Sequence, residues 1–193
     1  MAVDYFTKWV EAEPLAKITK ANAKQFLWKN IICHFGIPAK VITDNGTQFT
    51  GKIFTSFCED FHIQLVHTAI THPQANGQTD VTNRTILKGL KTRLGKAGGQ
   101  WVEELPNVLW AYRTTSRTPT GETPFNLYFG TEAVIPVDIG VPSNRVQTFD
   151  FNNNEEKLMT NLDLLPEARD EASLRFAAYH QRIARHYNQR IKP

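Results

Sequence analysis

Lys40-Val41-Ile42-Thr43-Asp44-Asn45-Gly46-Thr47-Gln48-Phe49 is the stretch from which the rest of the chain can be read. Val41, Ile42 and Thr43 are β-branched and suit a short buried strand. Asn45-Gly46 is a turn dipeptide, so the strand must stop at Asp44. The result is a carboxylate delivered at the end of a strand. Downstream of Gly51, the residues Ile53, Phe54, Phe57, Cys58 and Phe61 recur at helical spacing, and Gln64 to Thr68 reads as another strand. Strand, helix and strand in this order make a βαβ insert.

The same reading extends toward the N-terminus. Ala2 to Tyr5 is expected to be a strand carrying Asp4, and Trp9 to Leu15 its partner. The short turn between them predicts antiparallel pairing. Thr19 can cap a helix whose apolar face is Ala23, Phe26, Leu27 and Ile31, with Gly36 and Pro38 ending it.

Toward the C-terminus, His72 to Thr79 is a loop rich in Pro, Gly, Asn and Gln. A helix over Asp80 to Leu94 should follow, broken by Gly95, Gly98 and Gly99. A second helix is expected over Gln100 to Thr114, with Trp101, Leu105, Val108, Leu109 and Tyr112 on one side. Residues 116–154 read as extended segments and turns, with a hinge at Asn152-Asn153-Asn154. Helices over Glu155 to Leu164 and Glu167 to Arg190 are expected to be separated or kinked at Pro166. Three organisational segments result: a core over 1–130, an extended linker over 131–154 and a helical extension over 155–193.

Composition excludes several classes. With 193 residues, 41% hydrophobic and 21% charged, the chain suits a soluble globular domain with a sizeable core. It has no apolar run of membrane-spanning length and no signal-peptide pattern, so it reads as intracellular. Cys33 and Cys58 each fall in an apolar helical pattern and read as reduced core residues. The six histidines lack paired zinc spacing. Trp9, Phe26, Trp28, Phe54, Phe57, Trp101 and Trp110 sit at core-like spacing and are assigned to packing.

The net charge of +3 is unevenly spread. Residues 81–117 carry seven basic side chains against two acidic ones, residues 118–173 three against ten, and residues 174–193 five against none. The stretch after Asp80 is therefore a candidate phosphate-binding surface, with the C-terminal tail a second.

Asp4, Asp44 and Asp80 are three carboxylates from separate elements, the donor set that hard divalent cations take. Each also has a structural reading: a turn residue at Asp4, an Asx turn at Asp44, and a helix N-terminal charge at Asp80. The flanking words favour the joint reading. Thr43 to Phe49 resembles the second-carboxylate motif of retroviral and LTR-retrotransposon integrases. His72-Pro73-Gln74-Ala75-Asn76-Gly77-Gln78 resembles the loop before their third carboxylate, and Val3 to Trp9 resembles the first motif. Thirty-five residues separate Asp44 from Asp80, the spacing of that family's Asp-Asp-35-Glu triad. Leu109-Trp110-Ala111-Tyr112-Arg113-Thr114 and Thr120-Gly121-Glu122-Thr123-Pro124-Phe125 resemble the gypsy-type members in particular.

The resemblance implies an α/β, RNase H-like fold, a mixed five-stranded sheet flanked by helices, with a C-terminal helical extension. It implies a catalytic core cut from a polyprotein, lacking part of its first strand and the flanking zinc and β-barrel domains. By the same resemblance, Asp4, Asp44 and Asp80 would be both catalytic residues and ligands of two Mg²⁺ or Mn²⁺ ions. DNA, comprising element ends and target, would be the partner, the active form a homo-oligomer, and the site of action the nucleus. Arg84, Lys88 and Lys91 fall on the same helical face as Asp80 and would bind DNA phosphates. Gln74, Asn76 and Gln78 would offer amides near a DNA end. One position departs from the family: its third carboxylate is glutamate, whereas Asp80 is one methylene shorter. An inactive nucleic-acid-binding relic of the same family is the competing expectation, and a metal-dependent ribonuclease on this fold a third.

Overall fold

The computed structural model describes residues 1–68, 77–97, 101–134 and 144–188. The chain divides into two compact units, one of 1–3 with 10–109 and one of 4–9 with 110–193.

In the first unit, β1 (Ala2–Val3) pairs antiparallel with β2 (Val10–Glu11), matching Val3 to Val10. The antiparallel expectation holds, but the partner strand is far shorter than 9–15. Next comes α1 (Lys20–Phe26), where Thr19 Oγ1 accepts the Asn22 N–H as expected of a cap. The helix runs on through a π-helical turn, Leu27–Ile32, into α2 (Cys33–Phe35). Gly36 stops it at φ +84°, a conformation few other residues adopt.

β3 (Lys40–Thr43) and β4 (Gln64–His67) pair in parallel, Val41 with Leu65 and Ile42 with Val66. The connection between them holds α3 (Thr47–Thr50) and α4 (Lys52–Asp60). Its core is Leu27, Phe54, Phe57, Cys58 and Ile63, with Ala23, Val41, Phe49 and Leu65 packed around it. Burying this many aliphatic and aromatic side chains, at roughly 1.5–3 kcal/mol each, is what holds the short strands in place. Among the described residues the strands make two two-stranded sheets; the five-stranded sheet expected from the resemblance is not shown.

Two helices complete the unit's described part. α5 (Gly77–Ala97) starts three residues before Asp80, so Asp80 lies in its first turn instead of opening it. Gly77 tolerates a helix terminus and no proline follows it, so the helix extends back into the expected loop. The start of α6 (Trp101–Thr114) packs on α5 at Gly89, where a Cβ would stand 2.9 Å from Val108 Cγ1.

The second unit is built on α7 (Pro124–Phe129) and α9 (Asn154–Asn188). α7 falls within 116–154, expected to lack helices, as does α8 (Asn144–Gln147). The signal for α7 was present: Thr123 Oγ1 caps the Asn126 N–H, and Pro124 occupies the first turn. Gly130 ends α7 at φ +72°, and a Cβ there would lie 3.3 Å from Asn161 O and 3.4 Å from Leu165 Cβ.

α9 runs continuously past Pro166, so of the two expectations, separation or a kink, the separation is absent. Packing on both sides of the proline holds the helix. Leu165 lies against Gly130, and Arg169 Nε donates to the Leu127 carbonyl at 3.0 Å. These contacts offset the hydrogen bond that a proline cannot donate.

Candidate functional site

Asp44 leaves β3 at an exposed turn. Its Oδ1 accepts the Gly46 N–H at 2.9 Å, the Asx turn that Asn45-Gly46 predicts. Asn45 Nδ2 donates to the Thr68 carbonyl at 2.8 Å, and Thr68 N–H donates to the Thr43 carbonyl at 2.9 Å. Thr43 Oγ1 and His67 Nδ1 are hydrogen-bonded at 2.9 Å. The turn bearing Asp44 is thus tied across the parallel pair by three hydrogen bonds.

Asp4 sits in the second unit on an exposed turn of different construction. Its Oδ1 accepts both the Thr7 N–H at 2.7 Å and the Thr7 hydroxyl at 2.6 Å. The backbone closes around it, with Asp4 N–H donating to the Trp9 carbonyl at 2.8 Å and Lys8 N–H to the Asp4 carbonyl at 3.1 Å. Beneath Asp4 the turn is buried. Lys8 is only 4% exposed and adopts φ +64°. Its Nζ donates to the Tyr5 carbonyl at 2.6 Å and lies 3.9 Å from the Phe176 ring centroid. Burial pulls the Lys8 ammonium down to about 8, against the opposing pull of Asp4. Trp9 packs against Phe125, Tyr128 and Phe129, with the Arg113 guanidinium 4.5 Å above its ring.

Asp80 is exposed in the first turn of α5, where a carboxylate also suits the helix dipole. Arg84, Lys88 and Lys91 are exposed on α5 and line one open cleft with Leu87 and Thr92. Their clustering is as the helical spacing requires. Arg93 is turned to a different task, pairing with Glu104 of α6 at 3.2 Å. Gln74 and Asn76 lie outside the described residues, and Gln78 falls within α5.

Two packing assignments need correction. Trp28 and Trp101 are 45% and 42% exposed, so they stand at the surface. Cys33 is exposed as well, while Cys58 is buried and free, its thiol pushed up by burial and by Glu59. Sequence reasoning missed Thr7 and Lys8. A threonine three residues after an aspartate is a recognisable side-chain-to-backbone turn signal, but a lysine reads by default as solvated.

Asp4, Asp44 and Asp80 supply hard oxygen donors, whose chemistry fits Mg²⁺ or Mn²⁺. Among the described residues, no three His, Cys, Asp or Glu side chains are gathered into a metal-holding group.

Residues 1–73 match the integrase core domain family (rve). The chain is 31% identical over 138 residues to the Gag-Pol polyprotein of avian reticuloendotheliosis virus, covering 72% of this chain and 12% of that protein. It is 35% identical over 130 residues to the Pol polyprotein of radiation murine leukemia virus, covering 66% of this chain and 22% of that one. The Tf2-3 transposon polyprotein of Schizosaccharomyces pombe is 28% identical over 66% of this chain and 10% of its own length. The chain thus spans less than a quarter of each of these relatives.

Solved structures agree on the fold. The simian T-cell lymphotropic virus intasome, solved in complex with the PP2A regulatory subunit B56 gamma, superposes with a TM-score of 0.61 at 23% identity, over 69% of this chain and 48% of that one. The trimeric HTLV-2 integrase catalytic core domain, solved in complex with magnesium, gives 0.55 at 24% identity, over 64% and 79%. The described residues therefore follow the RNase H-like fold of integrase catalytic cores, residues 1–73 match the integrase core domain family, and the chain is similar over 66–72% of its length to segments of retroviral and Tf2 transposon polyproteins.

Proposed function

We propose that this chain is the catalytic core of a gypsy-type retrotransposon integrase, acting on DNA in the nucleus as a homo-oligomer. The observation that carries this reading is the Asp44 turn, an exposed carboxylate fixed at the end of a parallel strand pair; that pair is half-buried and not the buried strand expected, with Thr43 buried and Ile42 46% exposed. It lies within the segment matching the integrase core domain, as does Asp4. Asp4, Asp44 and Asp80 would hold two Mg²⁺ or Mn²⁺ ions. When bound, such ions supply the Lewis acidity that phosphodiester displacement demands.

The chain's own contributions are positioning and charge. The cleft of Arg84, Lys88 and Lys91 binds backbone phosphates beside Asp80 on the same helix. Gln74, Asn76 and Gln78 offer amides to the DNA end. In end processing, a water oxygen attacks phosphorus, one P–O bond forms and one breaks, and the strand leaves with a 3′-hydroxyl. In strand transfer that hydroxyl attacks a target phosphodiester, again one bond for one. Both are in-line displacements, which fixed geometry accelerates most.

A second reading is favoured by one residue. Asp80 reaches roughly 1 Å less far than the family's glutamate, and a misplacement of that size costs on the order of 100-fold in rate. On this reading the chain is an inactive nucleic-acid-binding relic. A disintegration assay on branched DNA in Mg²⁺ and Mn²⁺ separates the two. Activity of the chain as it stands supports the integrase. Activity only in Asp80→Glu supports a sound scaffold silenced at one ligand. Silence of both folded proteins, with salt-dependent DNA binding retained, supports the relic.

A further inference from the structure

Thr7 is bonded to Asp4 more closely than a turn requires. A turn capped by an aspartate side chain needs one backbone donor to it, which the Thr7 N–H, three residues on, supplies at 2.7 Å. The Thr7 hydroxyl adds a second donor to the same oxygen at 2.6 Å. That hydroxyl is itself oriented, because its oxygen accepts the Trp9 N–H at 3.2 Å. Thr7 is 7% exposed, so solvent competes little for these bonds, whereas Asp4 is exposed.

Two donors on Oδ1 leave the carboxylate little freedom to rotate. The direction of the Trp9 N–H thus passes through the threonine hydroxyl to the carboxylate plane.

We infer that Thr7 is a positioning residue for the metal-binding carboxylate of Asp4, orienting it through its hydroxyl. The inference rests on the metal-site reading of Asp4 given above. Partners that orient a metal ligand from behind are typically worth 10–100-fold in metal affinity.

The test is Mn²⁺ titration of the full chain, followed by water-proton relaxation, for the parent, Thr7→Ser, Thr7→Ala, Thr7→Val and Asp4→Asn. Thermal melting is run alongside. Thr7→Ser keeps the hydroxyl and should bind Mn²⁺ within about threefold of the parent. Thr7→Ala and Thr7→Val should lose about tenfold or more. Alanine and valine both remove the hydroxyl that accepts the Trp9 N–H; if valine fails to fold, the serine and alanine variants, differing only in the hydroxyl, carry the comparison, and melting reports what that loss does to the fold. Equal Mn²⁺ affinity in the serine and alanine variants overturns the inference while leaving the metal site standing, provided Asp4→Asn loses binding. Unchanged binding in Asp4→Asn overturns both the metal-site reading and the inference.

Discussion

The turns bearing Asp4 and Asp44 present the same chemical group and are built in opposite ways. At Asp44 the aspartate makes a single bond to the Gly46 N–H, and the frame comes from the residues around it: the β3–β4 ladder, the Thr68 backbone, and side-chain ties from Asn45 and between Thr43 and His67. At Asp4 the carboxylate itself joins the frame, with Thr7 bonding it twice, two backbone bonds closing the turn, and Lys8 and Trp9 buried beneath it. The first construction separates chemistry from stability. In the second, the carboxylate is part of what holds the turn together.

The largest expected effect follows from that separation. Asp44→Asn keeps an acceptor for Gly46 and should leave stability within about 0.5 kcal/mol. Strand-transfer or disintegration activity should fall by more than about 100-fold, a direct ligand counting for more than the partners behind it. Retained metal-dependent activity in this variant, measured beside an unchanged melting curve, would remove Asp44 from the site.

A smaller effect sharpens the contrast directly. Truncating each aspartate to alanine should cost the second unit about 1–2 kcal/mol at Asp4, where charge-assisted bonds to Thr7 are lost. At Asp44 the cost should stay below about 1 kcal/mol, since one exposed bond is lost. Urea denaturation of both variants decides this, and equal costs would erase the distinction drawn between the turns.

How much of this was legible in sequence differs between the same two places. The Asp44 turn was readable because its determinants are contiguous: a β-branched run, then Asn45-Gly46. The helices on either side were readable from apolar spacing and from caps at Thr19 and Gly36. The burial of Lys8 was not, because it depends on Phe176, far along the chain. Nor was the continuity of α9, where Arg169 and Leu165 hold the helix across Pro166 through contacts with the Leu127 carbonyl and Gly130. Local signals fixed the ends of elements, whereas distant packing decided what a lysine or a proline does inside them. The start of α5 failed for another reason: Gly77 and Gln78 are weak signals that neither demand nor forbid a helix.

The smallest effect concerns pH and tests whether the Asp4 turn is as dry underneath as its packing indicates. Lys8 falls from 10.5 to about 8 on burial. Between those values the unfolded chain binds more protons than the folded one. The lysine's destabilising contribution is therefore full below about pH 8 and is relieved as pH rises toward 10.5. Stability of the parent relative to Lys8→Met should rise across that window. A flat difference, or an amine titrating at its ordinary value by NMR, would mean that water reaches Nζ.

In the function proposed above, these unlike turns serve one cation-dependent site. The most direct measurement is paramagnetic broadening by Mn²⁺ of the Thr7 and Gly46 amide signals in a ¹⁵N-labelled chain. On that proposal both signals should broaden over the same Mn²⁺ range, and Asp44→Asn should weaken the effect at Thr7 as well as at Gly46. Broadening at one turn alone, or an Asp44→Asn change confined to Gly46, would contradict it.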